Sequence, residues 1–424
     1  ILLALGKALA QGGDVRGAKP RLFSLLAREQ KGPRAAEALT TLGMIYRNEG
    51  STDLATSYFR QASAASPATA TSREIADILF DSGEYTDALR QYTALAAAGK
   101  DKNEQRGLAA RIVVTNLRLN AFNPADRDIA AFRAAYPDND TEMAEFELER
   151  GNAFFRQKDY VRALKSFQNV TSSYEETPSA PTAMFWIGKV HEATNKPQEA
   201  LTQFEKLMKE HPDAPIMQKV HFALGNIQYQ AEKWDEAIRN YRMVTDNPNA
   251  DPALLPYAIN NLIETYEIAG IFDAALTLTR RYLELYPNAD DAFDKRIKIG
   301  ILYQRLGYYD QSVLHLQTLL EEAGSDLEGE IRYYIGEANF GKGDYQQAIL
   351  DFLKVPYLVT KKGKVDWTAT SLYMSGQAYE KMGRSDQALT MYKQIIDRPG
   401  IDETFKAAAR KEIDRVHAVL KKTK

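Results

Sequence analysis

A small residue returns along this chain at nearly constant spacing, at Ala18, Ala55, Ala88, Ala125, Ala163, Ala200, Ala237, Ala275, Ser312, Ala348 and Ala388. The intervals run from 33 to 40 residues and cluster at about 37. A period of that length is one supersecondary unit, too small to bury its own apolar face, so the chain is constrained to stack copies of a single motif. A second ladder runs twelve residues ahead of the first, through Gly6, Gly43, Ala76, Val113, Gly151, Gly188, Gly225, Ile263, Gly300, Gly336 and Gly376, and eight of its eleven members are glycine. Four residues after each small rung stands a large apolar residue in ten cases, Thr279 being the exception.

Each unit reads as two helices joined by a tight turn. Between residues 42 and 67, Leu42, Ile45 and Tyr46 recur at helical spacing, Gly50 breaks the helix, and Ala55, Phe59 and Ala62 open a second face. Glycine inside a helix costs about 1 kcal/mol relative to alanine, so a glycine ladder needs a packing reason. The expected reason is close approach of two helix backbones, with the small residue of the second helix fitted against the first. Pro67, Pro137, Pro212, Pro248 and Pro287 close many units by ending the second helix. An aromatic three residues before the small rung, at Tyr85, Tyr160, Trp234, Phe272, Tyr309 and Tyr345, is expected to cap the turn.

The spacing of Gly43, Tyr46, Ala55, Phe59, Ala62 and Pro67 is similar to that of the tetratricopeptide repeat, and it is echoed from residue 1 to about residue 400. The resemblance implies an all-α fold, a right-handed superhelical solenoid of about eleven helix-turn-helix units. On this register the solenoid covers residues 1–401, its first unit truncated, and residues 402–424 form a capping helix. In that last segment Phe405, Ala409, Ile413, Val416 and Leu420 make one stripe, with Asp402 and Glu403 at its start and Lys421, Lys422 and Lys424 at its end, the order that the helix dipole favours. The period of about 37, with YP or HP and an acidic cluster between units, resembles the longer repeats of bacterial envelope proteins such as the barrel-assembly lipoprotein and the Tol-Pal-associated coordinator. The unit around Val113 and Ala125 lacks the glycine and fits least well.

Composition narrows the function classes. Lys and Arg number 54 against 57 Asp and Glu, with no long run of one sign, so a phosphate-backbone binder is not expected. The absence of cysteine removes disulfides and thiol chemistry, and in a chain of 424 residues it leans towards an oxidising compartment. No stretch approaches the ~18 apolar residues of a membrane span. His191, His211, His221, His315 and His417 lack zinc-helix spacing, and the carboxylate pairs Asp290–Asp291 and Glu321–Glu322 fall at unit boundaries as solvated turns. With no phosphate loop, dinucleotide fingerprint or nucleophile turn, neither an enzyme nor a cofactor is expected.

Binding is expected instead. In tetratricopeptide proteins the first helix of each unit lines a concave groove. Three residues before the packing glycine this chain carries Phe185, Phe222, Asn260, Ile297, Tyr333 and Tyr373, and four after it Phe80, Phe155, Tyr229, Glu267 and Phe340. Either neighbouring units bury these rings or the rings line a groove for a peptide. The resemblance also implies part of a carboxylate clamp at Asn226, Asn261 and Lys298, left incomplete because Phe222 and Asp294 stand where basic residues belong. With Tyr257, these give the candidate groove set Phe185, Phe222, Asn226, Tyr229, Tyr257, Asn260, Asn261, Lys298, Tyr333, Phe340 and Tyr373. The expected role is a non-enzymatic scaffold for a protein or peptide in a bacterial envelope assembly, periplasmic or outer-membrane-associated. The alternatives are a cytoplasmic location and a regulatory region of a larger enzyme or transcription regulator. Terminal units that stack on one another would add self-association.

Overall fold

Every period of the ladder folds as a helix pair in the computed structural model, which describes residues 1–66, 73–99, 101–359 and 365–422. Pro67, Lys424 and the side chain of Lys422 lie outside the described residues. Among those described, every regular element is a helix. The chain divides into two compact units. The first, Ile1–Val220, holds α1 (Leu2–Gln11), α2 (Val15–Leu26), α3 (Pro33–Asn48), α4 (Thr52–Ala65), α5 (Arg73–Asp81), α6 (Tyr85–Ala98), α7 (Lys102–Arg118), α8 (Phe122–Ala135), α9 (Asp140–Arg156), α10 (Tyr160–Ser173), α11 (Ser179–Ala193), α12 (Pro197–Glu210) and the opening residues of α13 (Met217–Gln230). The second, His221–Lys424, holds the rest of α13, then α14 (Trp234–Thr245), α15 (Leu255–Ile268), α16 (Phe272–Leu285), α17 (Ala292–Arg305), α18 (Tyr309–Leu319), α19 (Ser325–Lys342), α20 (Tyr345–Phe352), the short α21 (Val355–Leu358), α22 (Trp367–Lys381), α23 (Ser385–Asp397) and α24 (Glu403–Lys422).

The turn inside each pair is built one way throughout. Five residues before the small rung the backbone enters the left-handed region, at Gly13, Gly50, Gly83, Asn120, Lys158, Asn195, Glu232, Gly270, Gly307, Gly343 and Gly383, with φ between 56° and 90°. The next residue then donates its N–H to the carbonyl five back, as Ser51 does to Tyr46 at 2.9 Å and Tyr308 to Tyr303 at 2.8 Å. The left-handed residue itself donates three back, Gly50 to Arg47 at 2.9 Å. These two bonds satisfy carbonyls that the helix end would leave orphaned, and they reverse the chain in the fewest residues. A side chain in this conformation costs about 1–2 kcal/mol, a cost that asparagine tolerates and that Lys158 and Glu232 bear outright. The following helix is capped by the side chains of Asp14, Asp159 and Asp344, which accept from the N–H groups of Gly17, Arg162 and Gln347.

All eleven small rungs are buried, and Ser312 shows why they are small: its hydroxyl donates to the carbonyl of Gly300 on the facing helix at 2.8 Å. What fills the space left by the glycine is a different residue from the one expected. It is the large side chain four residues beyond the small rung. A Cβ placed on Gly6, Gly43, Gly151, Gly188, Gly225, Gly300, Gly336 or Gly376 would lie 2.4–2.7 Å from Leu22, Phe59, Phe167, Phe204, Tyr241, Leu316, Phe352 or Tyr392 respectively. The one exception to the large-residue ladder coincides with an exception to the glycine ladder. Where Ile263 replaces the glycine its partner is Thr279, and where Val113 does so the partner is Ile129, so volume lost from the second helix is supplied by the first. Ala76 alone keeps a ring, Tyr92, whose hydroxyl donates to Asp77 at 2.6 Å.

Pro137, Pro212, Pro248 and Pro287 each follow the end of a second helix by two or three residues. At the far end, Phe405, Ala409, Ile413, Val416 and Leu420 of α24 pack on the core formed with Tyr392 and Ile395 of α23. Gly188→Ala should overpack the Phe204 notch and cost about 1–3 kcal/mol in urea unfolding. Gly188→Val combined with Phe204→Ile, copying the Val113–Ile129 pair, should be less destabilised than the sum of the two single changes. Lys158→Gly and Glu232→Gly should each raise stability by about 0.5 kcal/mol, the relieved strain exceeding the entropy that glycine adds to the unfolded chain.

Candidate binding face

The rings three residues before the packing glycine are tied to the notch. In the first unit the Phe185 ring lies 5.7 Å from Phe204. In the second, Phe222 lies 6.0 Å from Tyr241, Tyr333 5.6 Å from Phe352 and Tyr373 5.6 Å from Tyr392. Each partner is the residue that fills the glycine space of the same pair, so this line of rings extends the core. Phe185 and Tyr333 are each only 7% exposed, and their area goes into that packing. The rings four residues after the glycine make a second recurring contact. Phe80, Phe155, Tyr229 and Phe340 meet Tyr85, Tyr160, Trp234 and Tyr345 edge-on across the turn, at 5.2–5.5 Å between centroids. That is the geometry aromatic quadrupoles prefer.

Polar groups occupy the same face of the second unit. Asn226 Oδ1 accepts from the Tyr241 hydroxyl at 2.8 Å and from Asn261 Nδ2 at 2.9 Å. Two donors on one oxygen fix the amide's orientation and leave its NH2 as the group on offer. Lys298 Nζ is paired with Glu267 at 2.6 Å. The Tyr229 hydroxyl donates to Glu264 at 2.8 Å, and burial, reinforced by that carboxylate, pushes its pKa up to about 12. Asn260 Nδ2 reaches Asp291 at 3.5 Å, while its Oδ1 is buried without a partner. Tyr257 stands apart at 64% exposure. The three clamp-like residues are therefore engaged within the chain, Asn226 with Asn261 and Lys298 with Glu267. The carboxylates Glu264 and Glu337 escaped the sequence reading, although the glycine register places each one residue after a packing position.

Among the described residues no helix is long and apolar enough to cross a membrane, and no three His, Asp or Glu side chains are grouped to hold a metal ion. Two family models, each described as tetratricopeptide repeat, match residues 3–70, 148–215 and 297–356, and residues 370–399, together just over half of the chain. The chain belongs to the tetratricopeptide-repeat family. The TPR repeat-containing protein MJ1428 of Methanocaldococcus jannaschii is 21% identical over 380 residues, covering 84% of this chain and 62% of that protein. The human Superkiller complex protein 3 is 23% identical over 283 residues, 66% of this chain and 17% of its own length. The chain thus spans less than two thirds of either relative. Among solved structures, a tetratricopeptide repeat protein from Parabacteroides merdae is 17% identical with a TM-score of 0.38, covering 63% of this chain and 98% of its own. The Pseudomonas aeruginosa pilF structure is 17% identical with a TM-score of 0.35, covering 61% and 96%.

On α19 of this tetratricopeptide array, burial holds the carboxyls of Glu330 and Glu337 above their ordinary range, with Asp294 adding to the effect at Glu330. At Glu337 the Tyr333 hydroxyl and the Arg305 charge offset part of it. A carboxyl whose folded pKa is raised destabilises the fold above that pKa, and the penalty disappears as pH falls below the unfolded value. Glu337→Gln should therefore raise the thermal midpoint at about pH 8 and leave it nearly unchanged at about pH 4. Equal gains at both values would show that desolvation of the carboxylate is not the cause.

Proposed function

We propose that this chain is a non-enzymatic scaffold that holds a partner protein or peptide on the face lined by the first helices of its repeats. The observation that carries the reading lies in the second unit. There the exposed Tyr257 ring and the oriented NH2 of Asn226 stand on α15 and α13, beyond the residues that the packing consumes. A ring that is open on its faces gives contact area at little entropic cost, and an amide NH2 suits the C=O groups of a peptide backbone. The rings of Phe222, Tyr229, Phe340 and Tyr373, on first helices of the same unit, belong to the proposed face. Each is partly covered by its packing partner.

The compartment we propose is the bacterial envelope, on the strength of the long repeat period, the proline and acidic residues between units, and the absence of cysteine. Fractionation of cells making the natural full-length protein tests it, and recovery in the cytosol alone would overturn it. For the binding face, a photo-crosslinking residue at Tyr257 should capture a partner, and Asn226→Leu should reduce that yield by about tenfold while the fold is retained. Capture that is equally efficient from a position on the second helices, such as Thr202, would place the partner elsewhere.

A further inference from the structure

A groove of about 590 Å³ opens in the first unit between the second helices α10 and α12, on the side away from the first-helix face. Its floor is α11, through Met184 and Ile187, which are 4% and 7% exposed. What a ligand would meet there is mostly wall. One wall carries Glu175 and Glu176 from the segment after α10, and the other carries Lys206, Glu210 and His211. Neither Glu175 nor Glu176 has an ion-pair partner among the described residues, and Glu210 has only a loose contact to Lys206 at 3.9 Å. His191 closes one end, and burial holds its pKa below the ordinary value, so the imidazole adds no positive charge at neutral pH.

The corresponding groove in the second unit is a control supplied by the repeat itself. It lies between α14 and α16, and a tyrosine, Tyr266, stands at the register position of His191. Its lining includes two arginines, and both have an internal partner: Arg242 pairs with Asp246 at 2.9 Å, and Arg281 donates to the Thr245 carbonyl at 2.9 Å. The groove volume there is smaller, about 360 Å³. The same architecture thus gives one groove whose arginines are held internally and a larger one in which Glu175 and Glu176 have no ion-pair partner among the described residues.

We infer that the α10–α12 groove binds a segment of a partner protein through an arginine or lysine side chain, whose aliphatic stem lies over Met184 and whose cationic head sits between Glu175, Glu176 and Glu210. Long cationic side chains combine an apolar stem with a charged tip, and a carboxylate pair matches the planar fork of a guanidinium. Unpaired carboxylates facing one another across a groove also repel, and a cation between them relieves that repulsion. This site is separate from the first-helix face, so either proposal can fail without the other.

The full chain, labelled at its methionine methyl groups, can be titrated with the tripeptide acetyl-Leu-Arg-Leu-amide while the Met184 methyl signal is followed. A saturable shift of that signal is expected. A Glu175→Gln, Glu176→Gln double variant, altered only at exposed positions, should bind about fivefold more weakly. The peptide with citrulline in place of arginine has the same shape without the charge and should leave Met184 unmoved. An unmoved Met184 with the arginine peptide, equal binding of the citrulline peptide, or undiminished binding by the double variant would each overturn the proposal. Free arginine amide binding as tightly as the tripeptide would assign the groove to a small cation, and the protein-segment reading would fall.

Discussion

The whole architecture depends on one side chain entering the space where another has none. In eight of the eleven pairs the first helix carries a glycine, and a large side chain from the second helix lies where a β-carbon would be. The glycine weakens its helix by about 1 kcal/mol. Full burial of the phenylalanine, tyrosine or leucine that it admits is worth about 1.5–3 kcal/mol, so the exchange favours the pair. It also fixes the distance between the two helices, because the ring acts as a spacer that neither slides nor compresses in a close-packed interior. The left-handed turn must then reverse the chain at that set distance, which is why its position, five residues before the small rung, does not vary.

This spacer reaches into the binding face. Phe185, Phe222, Tyr333 and Tyr373 each rest on the ring that fills the notch of their own pair. A change to a notch residue is therefore felt at the face, whereas a change to Tyr257 or Lys298 is not felt in the core. Aromatic area on this face serves mainly to make it rigid, and polar groups with unspent hydrogen-bonding capacity are what distinguish one repeat from the next. Asn226 is the clearest case. Its oxygen is used twice inside the protein, so its remaining chemistry is that of a donor.

Helix pairs, their number and the turn positions were legible in the sequence because two ladders in fixed register leave few alternatives. The occupant of the glycine space was not, because a spacing gives the distance along a helix and says nothing of depth. Thr279 and Ile263 looked like two unrelated exceptions, yet they are one exchange of volume between facing helices. The left-handed backbone at Lys158 and Glu232 was hidden for another reason: neither residue type announces it, and only the recurrence five residues before Ala163 and Ala237 would have exposed it. On the candidate face, the register gave each residue's place along its first helix. It could not show that Glu267 neutralises Lys298, or that Tyr345 covers Phe340, since those partners come from the neighbouring pair or from across the turn.

Repeats built on a shared spacer can vary freely wherever the spacer does not reach. The outer surfaces of the second helices are such places, and there the two grooves diverge. Between α14 and α16 the charges close on one another, and burial raises the pKa of Tyr266. Between α10 and α12, Glu175 and Glu176 have no ion-pair partner among the described residues, and Glu210 has only Lys206 at 3.9 Å. A stacked array tolerates an uncompensated groove in one repeat because stability comes from the glycine notches and from burial between adjacent pairs, and loss at one surface site is not transmitted along the stack. An uncompensated surface charge costs little in an exposed setting, so its presence is not evidence of instability. Placed over a groove with an apolar floor, it marks the position where a repeat otherwise devoted to packing can take on a ligand of its own.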